Sequence, residues 1–285
     1  MLLKTELKKM FKSNGLKISV LCSLIIVACQ TIWFIINVRM VNNYDFQQRL
    51  LDTGIKEKGM WFENGILEGW IGCEPFSPYN GMLFMILPLL AILPFGLSFY
   101  DEWKSGYCEH IITSRNIKEY IICKITVVFI SGGIGAVFPL MLSLIVSACY
   151  LPAISTDVLA LQSVLNDTYM FSFLYYDYPV LYALVYSLIV FVYGGIFSML
   201  AFMVSRWMNN KFIILSFPLI VHVFLLYFDK IMEPNISKYN FAIFVNPTQN
   251  KGTNDLKSLI ITTSILLIII IGTSVLTNIR RETIS

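Results

Sequence analysis

Apolar residues in this chain gather into six long runs, at about Leu16–Val38, Met82–Tyr100, Tyr120–Cys149, Val180–Val204, Phe212–Phe228 and Leu259–Leu276. Crossing the hydrocarbon layer of a bilayer takes about 20 such residues in a helix, so each run predicts one membrane-spanning helix. Several runs contain proline or glycine: Pro88 and Pro94 in the second, Gly132, Gly133, Gly135 and Pro139 in the third, Pro218 in the fifth. Membrane helices tolerate these residues where neighbouring helices satisfy the freed backbone groups. The pattern therefore predicts a packed all-α bundle of six transmembrane helices, a single transmembrane domain over residues 1–285.

Residues 1–15 precede the first run with a different pattern. Leu3, Leu7, Met10 and Phe11 share one helical face, and Lys4 and Lys8 lie on another. A short basic amphipathic helix of this kind rests in the headgroup layer, apolar side down and lysines on anionic lipid. Its alternative is a solvated positive flank that only orients the first span. Ser13-Asn14-Gly15 interrupts the pattern before the chain enters the membrane. No small-residue cleavage site follows the first run, which predicts a retained helix rather than a signal peptide.

Composition agrees with the pattern. Of 285 residues 56% are hydrophobic and 14% charged, against about 25% charged in soluble domains, and the mean hydropathy is +0.70. The net charge of +3 and the lack of a basic run exclude nucleic-acid binding as a leading function. Six spans put both termini on one side. That side carries 13 Lys and Arg against 8 opposite, while acidic residues divide 6 against 12. The positive side faces the cytosol, so the expectation is a multi-pass protein of the bacterial plasma membrane with both termini cytosolic.

The outer loops hold two open choices. Trp61, Phe62 and Trp70 form either an interfacial aromatic belt or a cap on a pathway mouth. Phe241–Val245 is too short to span and predicts a segment dipping into the outer leaflet. None of the six cysteines forms a CxxC pair. Cys73 and Cys149 fall on the same side, where a disulfide and simple apolar filling are both open.

The ordered polar interruption at 101–119 draws the most attention. Asp101-Glu102 leads to Gly106, then to a helical stripe of Tyr107, Cys108, Ile111 and Ile112, and Thr113-Ser114 ends it. Asn116 and Glu119, three apart before an apolar run, start the next helix in the manner of a capping box. A short helix held between two spans is a lever on both.

This stretch resembles the cytoplasmic loop of permease subunits of ABC transporters of the ABC-2 type. Glu102, Gly106, Ile111-Ile112, Thr113-Ser114, Lys118, Tyr120 and Lys124 fill the places of that family's loose pattern, although Arg115-Asn116 stand where it often has proline. The resemblance covers the whole chain in architecture and about 25 residues in motif. It implies a cytosolic coupling helix, with Glu102, Gly106, Tyr107, Ile111, Ile112 and Thr113 meeting an ATPase. It also implies a second permease, the same chain or a homologue, and a dimer of nucleotide-binding subunits carrying ATP and magnesium. The chain itself has no GxxxxGK[ST] phosphate loop, so it is expected to bind no cofactor and to be no enzyme by itself. The expected cargo is an antimicrobial or other peptide, in export or self-immunity. The alternatives are a permease for drugs or lipid-linked polysaccharide, and, from other classes, an intramembrane enzyme or a membrane scaffold.

Little else carries chemistry. GxSxG, HExxH and carboxylates paired within a span are all missing, and His110 beside Cys108 and Glu109 lacks the convergence a metal needs, so no metal site is expected. His222 lies inside the fifth run and Gln30 inside the first. An ionisable group at membrane depth is a candidate for a transport pathway. The competing account makes His222 a neutral, hydrogen-bonded packing group and turns Gln30 toward the bundle or the outer interface.

Overall fold

A computed structural model describes residues 2–40, 65–74, 77–106, 117–153, 170–249 and 255–279. Among the described residues the protein is all-helical. An amphipathic helix, α1 (Leu2–Lys12), leads into α2 (Asn14–Phe34), which continues as a π-helical turn over Ile35–Met40. A short α3 (Ile66–Gly69) precedes α4 (Pro78–Ile92) and α5 (Ser98–Lys104). Then come α6 (Ile117–Tyr150), a short α7 (Ser172–Asp177), α8 (Pro179–Val204) and α9 (Lys211–Phe228). Two four-residue helices, α10 (Pro234–Ser237) and α11 (Phe241–Phe244), precede the last, α12 (Leu256–Ile279).

Among the described residues, five helices are long and apolar enough to cross a membrane: α2, α6, α8, α9 and α12. They match five of the six expected runs within a few residues. The second run behaves differently. Its apolar helix α4 has 15 residues, and a turn over 93–97 separates it from α5. Pro94 has no N–H to offer the ladder, so a uniformly apolar stretch is divided at a point that hydropathy does not mark. Ser77 starts α4 as a cap, its Oγ accepting from the Tyr79 amide at 3.2 Å, with Pro78 in the first turn.

The centre of the bundle is the seam between α6 and α8, built on small residues. A Cβ added to Gly132 would lie 2.4 Å from the Ser198 Cβ and 2.6 Å from the Gly194 carbonyl oxygen. One added to Gly194 would meet the Ala136 Cβ at 2.4 Å. Gly132-xxx-Ala136 on one helix thus faces Gly194-xxx-Ser198 on the other, and their backbones pack directly together.

Helix-breaking residues are repaired from neighbouring helices. Pro88 leaves the Phe84 carbonyl without its intrahelical donor, and the His222 ring on α9 donates to it from Nε2 at 3.1 Å. Pro94 does the same to the Leu90 carbonyl, which accepts from Ser19 Oγ on α2 at 3.0 Å. One expectation for the outer loops changes here. Trp70 belongs to neither a belt nor a mouth: it is fully buried, and its Nε1 donates to the Leu140 carbonyl at 3.0 Å. Trp61 and Phe62 lie outside the described residues. The short segment Phe241–Val245 is buried in the bundle, where Asn240 caps α11 and donates from Nδ2 to the Leu225 carbonyl at 2.8 Å. Cys73 and Cys149 are both free thiols, the first buried and the second exposed.

Candidate functional site

Five polar side chains from three helices meet at one end of the bundle. Lys124 stands two turns into α6 and is 0% exposed. A charge in that position needs partners, because the cost of removing it from water is several kcal/mol at about the scale of a folding free energy. It has two: Glu6 Oε2 on α1 at 2.8 Å and Glu102 Oε2 on α5 at 2.7 Å. Lys9 on α1 closes the circuit, 2.8 Å from Glu6 Oε1 and 3.1 Å from Glu102 Oε1. The result is a ring of alternating charge, Lys124–Glu6–Lys9–Glu102, with zero net charge. Tyr120 donates its hydroxyl to Glu102 Oε2 at 2.5 Å, and the Lys124 ammonium lies 4.5 Å from the centroid of the Phe95 ring.

The electrostatics favour the charged forms of Glu102 and Lys9. Burial works against the charge on Glu102, but Lys124, Tyr120 and Lys9 outweigh it and hold the carboxyl below its ordinary value. Burial likewise opposes the charge on Lys9, and Glu6 and Glu102 more than offset it, raising the ammonium above the usual lysine value. The signs follow by linkage. Glu102 contributes stability above the ordinary carboxylate range, lost as pH falls through its lowered value. Lys9 contributes below the ordinary lysine range, lost as pH rises through its raised value.

The opposite side of α5 is tied elsewhere. Tyr100 donates its hydroxyl to the Asn209 carbonyl at 2.6 Å, and Asp101 pairs with Lys211 at 2.5 Å on the surface. The Arg206 guanidinium lies 4.8 Å over the Trp103 ring, and Phe99 packs on Phe202 with centroids 4.7 Å apart. A seven-residue helix is therefore clamped between α1 and α6 on one side and the α8–α9 connection on the other. Gly106 ends it. This residue has φ +73°, the left-handed position that commonly follows a helix and that favours glycine.

Of the residues expected to couple to a partner, Glu102 and Gly106 are thus placed in and beside this junction. Tyr107, Ile111, Ile112 and Thr113, like His110, lie outside the described residues. The expected lipid face of α1 is divided. Met10 is buried in the core and Leu7 packs against it, while Leu3, Phe11, Lys4 and Lys8 are exposed. The stripe turned inward is Glu6 and Met10, and Glu6 and Lys9 are the members that sequence reasoning missed. A signal existed: Lys124 stands alone in an apolar run and requires an acid, and Glu6 is the sole acid in residues 1–15.

His222 and Gln30 are not part of this junction. His222 is 1% exposed, edge-on to Phe197 with ring centroids 5.2 Å apart, and its Nδ1 has no hydrogen-bond partner among the described residues. Gln30 is fully buried and accepts from Ser77 Oγ, where α2 passes the start of α4. Among the described residues no group of three or more His, Cys, Asp and Glu converges to hold a metal ion. No protein-family model, no curated protein and no solved structure matches the chain.

Proposed function

We propose that this chain is the membrane-spanning permease subunit of an ATP-driven exporter of the ABC-2 type. In this reading α4, the turn after it and α5 complete a sixth crossing. The termini and the loop after α5 face the cytosol, and α1 lies at the lipid interface with Leu3, Phe11, Lys4 and Lys8 outward. Two such permeases, or one with a homologue, line the pathway. A pair of separate ATPase subunits docks on the loop through Gly106, Tyr107, Ile111, Ile112 and Thr113.

The observation that carries the reading is the double attachment of α5. Its Glu102 is locked to α1 and α6, its Tyr100 to the α8–α9 connection and its Asp101 to Lys211 at the start of α9. A push on the loop that leaves α5 is handed to both sets of helices at once, as a coupling element must do. Peptide is the preferred cargo, antimicrobial peptides included. The acidic excess of the loops placed outside, 12 acids to 8 bases, is complementary to a cationic one.

The test is purification of the tagged chain from its native membranes. The expected result is a co-purifying ATPase whose peptide-stimulated hydrolysis falls at least tenfold in Ile111→Asp while assembly persists. A chain that purifies without any nucleotide-binding partner, or stimulation unchanged in Ile111→Asp, would overturn it.

A further inference from the structure

At the end of the bundle away from the charged junction, a groove of about 430 Å³ runs between α4 and α9, within the range of about 300–1,000 Å³ for small-molecule sites. Gly81, Phe84 and Met85 of α4 form one wall, at helical spacing i, i+3, i+4. Val223, Leu226, Tyr227 and Lys230 form the other at the same periodicity, and Ile243 of α11 is the floor. The His222–Phe84 hydrogen bond pins the two walls together beneath it.

We propose that this groove holds one acyl chain of a phosphate-bearing lipid, with the headgroup phosphate on Lys230. Three observations select that occupant. The groove is mainly apolar, with Asp229 and Lys230 its charged lining residues, and it is continuous with the outward face of α9, where Ile220, Phe224 and Tyr227 are each more than 60% exposed. Helix α9 is long and apolar enough to cross a membrane, where that outward face would meet lipid chains. The cation is at the mouth, where α9 has just ended: the Lys230 ammonium lies 5.2 Å from the Tyr227 ring centroid and forms no ion pair among the described residues. Lysine and tyrosine together at a helix end mark the headgroup level. The other charge there, Asp229, is buried and turned to α10, accepting from Ser237 Oγ at 2.5 Å. Finally, Gly81 leaves its side of the groove open, with nothing within 4 Å of where a Cβ would stand. The site is independent of the transporter reading.

Gly81 also supplies the test, because a side chain built there starts into the groove from a Cβ that meets nothing within 4 Å. The protein is reconstituted in vesicles of equal parts phosphatidylglycerol and phosphatidylcholine, extracted in mild detergent and weighed by native mass spectrometry. Wild type is expected to keep one phospholipid through detergent exchange. Gly81→Leu should lower its occupancy at least fivefold with helix content and melting temperature unchanged. Lys230→Gln should keep fewer phospholipids of either kind. Wild type that keeps no lipid, or equal retention by wild type and Gly81→Leu, would sink the proposal. So would a Gly81→Leu chain that loses a second copy of itself instead of a lipid, since the groove would then be a protein interface.

Discussion

Glu68 shows what single residues contribute beyond the charged ring. It stands in α3, with Oε2 lacking a hydrogen-bond partner among the described residues. Burial first, and the nearby Glu74 carboxylate second, push its carboxyl up to about 7. A carboxyl raised on folding makes the folded state the stronger proton binder, so stability falls as pH rises from 4.5 through about 7. Glu68→Gln removes the ionisable group and keeps the shape. Its melting temperature should equal that of wild type below pH 4.5 and exceed it at pH 8, the difference opening above pH 4.5 and levelling off above about 7. Melting curves across that range check this, and a constant difference would contradict it. Glu68 could not be singled out from sequence, where it is one of several acids in a long loop. Its burial depends on α3 folding back, with the Ile66 amide bonded to the Pro152 carbonyl at 3.0 Å. Lys124 was legible as an anomaly, but Glu6 lies 118 residues away from it, and no local pattern joins them.

At the scale of elements, hydropathy located α2, α6, α8, α9 and α12 because each is long and uniformly apolar. It ran α4 and α5 together, because Phe95 to Tyr100 are as apolar as the helix before them, and only the missing N–H of Pro94 and the turn after it make the division. Glycines inside the third run were legible as signs of a packed bundle. Which of them touch was not, since that depends on helix pairing. Gly132 on the α6–α8 seam has Ser198 and the Gly194 backbone against it, whereas Gly272 on α12 has nothing within 4 Å of its Cβ position. Gly132→Leu should therefore destabilise by at least about 1–3 kcal/mol, the cost of overpacking, while Gly272→Leu should be near neutral. Chemical or thermal unfolding in detergent compares the two, and equal effects would show that the seam is not the tight contact described.

For the whole molecule, the charged ring sets an order of membrane insertion. Lys124 enters with α6, and its two acids sit on segments made earlier, Glu6 at the start of the chain and Glu102 just before the turn into α6. The first eleven helical residues must therefore wait at the membrane surface until α6 arrives, or the buried ammonium is left with Glu102 as its one acid, at a cost that approaches the several kcal/mol of a buried, incompletely paired ion. Deleting residues 2–12 should let α6 slide outward until Lys124 reaches water. In a chain whose sole cysteine is Cys123, a partly covered neighbour of that lysine, labelling by a membrane-impermeant thiol reagent at that end of the protein should rise several-fold. Unchanged labelling would mean that Glu102 alone holds the lysine down. Raised labelling would mean that the amino-terminal helix acts during biogenesis as a resident counter-charge, a chaperone for a later segment of its own chain.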